Sequence, residues 1–153
     1  KRILQFSANG DLINQIGGGG VRLGNFEEPT AVAVDPRDGS IYVADAWNRR
    51  IQKFDANLQP LAEWPVPSWG SQHLFYKPYL TVAGNGDLYA SDPENFRVLV
   101  YNSAGGVKAA FGSYGAEMNR FALPNGLAWN AENNMVMVVD ADNQRVMNFA
   151  TLP

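Results

Sequence analysis

Three carboxylates recur in this sequence, each with an amide and a guanidinium at fixed distances behind it. Asp45 is followed by Asn48 and Arg50, Asp92 by Asn95 and Arg97, and Asp140 by Asn143 and Arg145. A carboxylate beside a cation is able to hold a metal, stabilise developing charge or pass a proton. The repetition points elsewhere, because a reaction needs its groups once and a structural device is needed in every repeat. Asp and Asn next to a tight turn bond to backbone groups, and Arg offers a carboxylate a two-pronged partner. These nine residues are therefore expected to be structural, with no metal at the carboxylates.

Little else in the chain has the pattern of a reactive centre. It has one histidine, His73, and no cysteine. A metal centre needs several converging donors, so neither a metal nor any other cofactor is expected, and thiolate chemistry is excluded. No Gly-x-Ser-x-Gly or His-Glu-x-x-His motif occurs, and Gly17 to Gly20 lacks the Lys-Ser/Thr of a phosphate loop. No catalytic residue is assigned.

The positions between the recurring ones vary, so the repeat does not dictate them. They are Trp47 and Arg49, Glu94 and Phe96, Asp142 and Gln144, joined by Tyr79 and Asn125 just after two prolines of the repeat. Aromatic and Arg side chains are common interface anchors, which makes these eight the candidate binding residues. The competing role for Trp47 and Phe96 is packing against a neighbouring repeat. Stacking on nucleic acid is not expected, since the formal net charge is −3 and the twelve Lys and Arg residues are scattered.

The elements that carry these residues follow from the spacing. Arg2 to Arg50 spans 48 positions, Arg50 to Arg97 spans 47, and Arg97 to Arg145 spans 48. Each period reads as four short strands, illustrated by Ala31–Val34, Ile41–Ala44, Arg50–Phe54 and, after a Gly- or Asn-bearing turn, Leu12–Ile16 or Val107–Phe111. Four antiparallel strands every ~40–50 residues describe a β-propeller blade. The expected division is 1–28 as the end of one blade plus a linker, 29–77 and 78–123 as blades, and 124–153 as an incomplete blade. The core is expected to lie between blades, with Val32, Val34, Tyr42, Ile51, Tyr89, Val98, Val136 and Val146 among its members.

Residues 29–54 run Pro-Thr-Ala-Val-Ala-Val-Asp, then Ile-Tyr-Val-Ala-Asp, then Asn-Arg-Arg-Ile-Gln-Lys-Phe. This segment resembles the NHL repeat almost position by position, and residues 108–149 resemble it as well. Two departures stand out: Gly follows the first-strand Pro by two only at Gly126, and the aromatic-rich connection Pro65 to Lys77 is unusual. The resemblance implies an all-β propeller of about three blades, half of a six-bladed ring. It also implies a protein- or RNA-binding module, with a minority of related propellers acting as metal-dependent lyases or lactonases.

Composition fits this architecture. Of 153 residues 46% are hydrophobic and 18% charged, and 15 glycines and 9 prolines punctuate short apolar runs. No apolar stretch approaches the roughly 18–20 residues of a membrane helix, so this segment is not expected to insert in a membrane. The chain opens inside an apparent strand, which reads as a piece of a longer parent. The expectation is a non-catalytic binding or scaffold module recognising a protein or small ligand through loops on one face. The alternative is part of a propeller enzyme whose site is completed by further blades. Exposed strand edges are also expected to pair with another copy or with further blades.

Overall fold

The structure is a computed structural model that describes residues 1–153. It contains thirteen strands and one 3₁₀ turn, Pro93–Asn95. A hairpin opens the chain, β1 (Arg2–Phe6) with β2 (Leu12–Gly17). The first full blade is β3 (Pro29–Val34), β4 (Ile41–Asp45), β5 (Arg50–Phe54) and β6 (Pro60–Pro65). The second is β7 (Leu80–Val82), β8 (Leu88–Asp92), β9 (Arg97–Tyr101) and β10 (Val107–Phe111). The third has three strands, β11 (Pro124–Asn130), β12 (Met135–Asp140) and β13 (Arg145–Ala150). Every sheet is an antiparallel meander, and the recurring Asp and Arg are paired across the ladder as Asp45↔Arg50, Asp92↔Arg97 and Asp140↔Arg145. This is the expected all-β propeller architecture, with about three blades.

The blades pack face to face through their inner strands, β3 against β7 and β7 against β11. Alternation along each strand sends one set of side chains to either face, so each interface draws on two blades. Tyr42, Ile51, Trp64, Leu80, Leu88, Leu99 and Tyr101 fill the first interface, and Tyr89, Val98, Val100, Phe121, Val136 and Val138 the second. A smaller cluster of Phe26, Val43 and Phe54 takes Ile3 and Ile16 from the opening hairpin.

Three expected core residues are outside. Val32 and Val34 are 53% and 57% exposed, and Val146 is 59% exposed. Each sits on a terminal blade, on the face with too few neighbouring strands to cover it. The sheet before β3 contributes two strands only, and nothing packs beyond β13.

Candidate functional site

Antiparallel meanders put the turns that join second to third strands at the same end of every blade as the linkers that enter the blades. At this end Asp45, buried completely, gathers the incoming linker. Its Oδ1 accepts the backbone N–H groups of Glu27 (2.9 Å) and Glu28 (3.2 Å), and its Oδ2 accepts from Asn48 (2.7 Å) and Arg50 Nε (3.0 Å). Arg50 then spends its Nη groups on the carbonyls of Val21, Arg22 and Asn25 and on Glu63. Asn48 reaches Gly20 O at 3.1 Å.

The third blade repeats this arrangement. Asp140 Oδ1 accepts the N–H groups of Ala122 and Leu123, and its Oδ2 accepts from Asn143 and Arg145. Arg145 donates to the carbonyls of Ala116, Glu117 and Arg120. Burial alone would raise the Asp140 carboxyl, but the bonds from Asn143, the two amides and Arg145 outweigh it and hold it below the usual carboxylate range. In both linkers a phenylalanine three residues before the repeat proline, Phe26 or Phe121, is fully buried as the anchor.

The second blade departs. Asp92 accepts only from Asn95 and from Arg97 Nε (2.8 Å) and receives no linker amide. The cause is partly covalent. Ala46 and Ala141, each just after the Asp, donate their N–H groups to Glu28 O and Leu123 O at 2.9 Å. Pro93 stands at that position in the second blade and has no N–H to give. Trp69 docks the linker instead, buried and donating from its indole to Ser91 O at 3.2 Å. Ser91 Oγ in turn accepts the Tyr79 N–H at 2.8 Å and donates to Asn125 O at 3.2 Å. Phe75, at the position of the anchors Phe26 and Phe121, is 66% exposed. Ser91, Pro93 and Trp69 were not singled out by the sequence reading, although a proline in the repeat's donor position was there to be read.

All eight candidate binding residues lie at this end of the blades. Trp47 and Tyr79 are exposed, as are Glu94, Asp142 and Gln144, while Asn125 is half-buried. Arg49, Phe96 and Gln144 were read as free of structural demands, and their backbone shows otherwise. They have φ of 53°, 54° and 53°, the left-handed residue that closes each turn before the recurring Arg. The side chains of two of them lean on the next linker. Arg49 lies over Gly70, where a Cβ would meet its guanidinium, and Phe96 meets Tyr114 edge-on at 4.8 Å. The structure does not gather the eight into one pocket. It brings Asn125 and Asp142 together with His73, Phe75, Tyr76 and Leu123 around a cleft of about 280 Å³. His73 was not chosen from the sequence as a binding residue.

The resemblance to a family with metal-dependent lyase and lactonase members would imply a metal centre. No three His, Cys, Asp or Glu side chains converge closely enough to hold one. His73 Nδ1 accepts the Phe75 N–H at 3.4 Å, and its ring packs on Phe75 and Tyr76. The donor set of these blades does not fit a metal centre on its own, and no step is derived through one.

Fold and linker geometry together define a β-propeller segment, and residues 26–54 match the NHL repeat. The chain is similar to a probable peptidyl-α-hydroxyglycine α-amidating lyase of Caenorhabditis elegans, 29% identical over 134 residues that cover 83% of this chain and 38% of the worm protein. It is also 28% identical over 155 residues to the peptidylglycine α-amidating monooxygenase of Rattus norvegicus, covering 97% of this chain and 16% of the rat protein. The chain thus spans well under half the length of these relatives. Among solved structures, a streptogramin B lyase superposes with a TM-score of 0.68 at 14% identity, over 98% of this chain and 45% of that one. The virginiamycin B lyase of Staphylococcus aureus gives a TM-score of 0.61 at 14% identity, over 97% of this chain and 48% of that one. The expectation of a non-catalytic module is corrected here: the relatives in sequence are named as lyases and monooxygenases, which are enzymes.

Proposed function

We propose that this chain is part of a propeller lyase acting on peptides that end in α-hydroxyglycine. The observation that carries the reading is the similarity to the worm lyase across 83% of the chain. Such a reaction breaks the bond between the last peptide nitrogen and the hydroxyl-bearing carbon. The hydroxyl proton leaves, its oxygen becomes the aldehyde of glyoxylate, and the nitrogen gains a proton to complete a peptide amide. No electrons are gained or lost, so the protein must only orient the hydroxyl and move a proton.

The cleft at the linker end supports this chemistry. His73, Tyr76 and Asp142 are its acid–base groups, the Asn125 amide is an orienting donor, and Phe75 supplies an apolar wall. Further blades complete the site in this reading. The test is to incubate the full-length protein with N-acetyl-phenylalanyl-α-hydroxyglycine and follow the peptide amide by chromatography and the glyoxylate with phenylhydrazine. Equimolar amide and glyoxylate above the buffer rate, reduced by His73→Ala, are expected. Release at the buffer rate alone would sink the proposal.

A further inference from the structure

The three recurring arginines are not equivalent. Arg50 and Arg145 each commit both Nη groups, chiefly to the main-chain carbonyls of the linker turn above them. Arg97 donates only from Nε, and its two Nη groups make no hydrogen bond. Its side chain is correspondingly more open, 38% exposed against 8% for Arg50 and 26% for Arg145.

The difference comes from the linker rather than from Arg97. Pro93 removes the amide that would draw the linker in, Trp69 docks it elsewhere, and Phe75 stays out of the anchor position. The base of the fork is anchored as in the other blades, because Nε is pinned to the fully buried Asp92 at 2.8 Å. Phe96, the residue before Arg97 in the turn, meets Tyr114 edge-on. What the same fork binds in the first and third blades is main-chain carbonyl oxygen, joined in the first by the Glu63 carboxylate.

We propose that Arg97 is a docking point for a carboxylate carried by a peptide ligand, with its two Nη groups taking the two oxygens. A planar carboxylate matches the spacing of the fork better than a single carbonyl does. Asp92 already balances the charge of Arg97, so selection comes from geometry rather than from net charge. The carboxylate is either the peptide's C-terminus or an acidic side chain. The inference stands whether or not the peptide is turned over, and so does not depend on the lyase reading.

Three probes separate these sources in calorimetric titrations of the full-length protein: N-acetyl-Ala-Ala, its C-terminal amide, and N-acetyl-Asp-Ala-amide. The expected result is that a carboxylate-bearing probe binds about tenfold or more tightly than the amide, whichever of the two carries it. Arg97→Lys keeps the charge that Asp92 needs but removes the fork. It should bring the acid probe down to the affinity of the amide and leave the amide unchanged. The Arg97 side-chain NH resonances of the unmodified protein provide a readout that needs no variant: they should shift with the acid probes and stay still with the amide. Equal binding of acid and amide, or an acid affinity indifferent to Arg97→Lys, overturns the assignment. Glyoxylate release measured alongside keeps the two ideas apart. Turnover with a KM unmoved by Arg97→Lys refutes the docking point and leaves the lyase reading, and carboxylate binding without turnover does the reverse.

Discussion

Arg50 Nε meets Asp45 Oδ2 at 3.0 Å in a pair almost sealed from water, the Asp45 side chain at 0% exposure and the Arg50 side chain at 8%. Removing the cation would strand a buried carboxylate. Arg50→Ala is expected to cost about 3–5 kcal/mol of stability, measured by urea unfolding. Arg97→Ala, whose side chain is 38% exposed and holds no linker, should cost less, about 1–3 kcal/mol. Equal losses in the two variants would mean that linker capture adds nothing.

Acid should loosen the third linker. The Asp140 carboxyl is held below the ordinary value of 3.8, so the folded state binds its proton less readily than the unfolded chain does. The stability this contributes is complete above about pH 4 and is lost as the pH falls further, through the depressed folded value. Amide exchange of Ala122 and Leu123, both bonded to this carboxylate, should accelerate over that range. Protection unchanged down to pH 2 would contradict the linkage.

Alkali should act on the interface between the first two blades. Burial pushes the Tyr42 and Tyr101 hydroxyls up to about 12 from an ordinary value of 10.0. The folded state therefore favours the protonated phenols. Their contribution is intact below pH 10 and is lost as the pH rises from there through about 12. Spectrophotometric titration at 295 nm should show these tyrosines ionising together with unfolding rather than before it.

Gly112→Ala should be costly. Gly112 has φ of 100°, and a Cβ there would press into the Phe121 ring and stand 2.9 Å from the Phe96 carbonyl oxygen. Strain and overlap together are expected to remove at least about 2 kcal/mol. Gly10→Ala is the control, since a Cβ at Gly10 meets nothing within 4 Å although its φ is also positive. Thermal unfolding separates the two.

Both β1 and β13 pair on one side only. The blade faces next to them expose Leu4, Phe6 and Ile13 at one end and Val139 and Val146 at the other. Bare edges beside apolar faces recruit strands. The 153-residue chain is expected to associate at micromolar concentration, with light scattering across a dilution series as the measure. A monodisperse monomer would end this expectation.

Much of the fold could be read from spacing, because Asp45, Asn48 and Arg50 recur with the ladder pairing that a meander imposes. The linkers were harder. Phe26, Phe75 and Phe121 occupy one position relative to the following proline, yet the first and last are buried and Phe75 is not. The difference arises at Trp69, earlier in the same linker, and at Pro93 in the turn of the blade that follows, and it acts in part through a donor that is absent rather than a motif that is present. Val32 and Val34 alternate like core residues, but burial also requires a neighbouring sheet. The candidate site was least legible, since the cleft around His73 and Asp142 forms only when the unusual linker folds across to the third blade.

The clamps also place the joints of the chain. Asp45 and Asp140 hold the linker that enters their own blade, so each connection folds with the strands after it rather than those before it. The unit of exchange is then a linker plus the blade it leads into, with its natural seams at Gly17, the last residue of β2, and Gly112, immediately after β10. A gene duplication or a designed graft cut at those seams would carry every clamp intact. One cut at the repeat proline would part Arg50 and Arg145 from the carbonyls they grip.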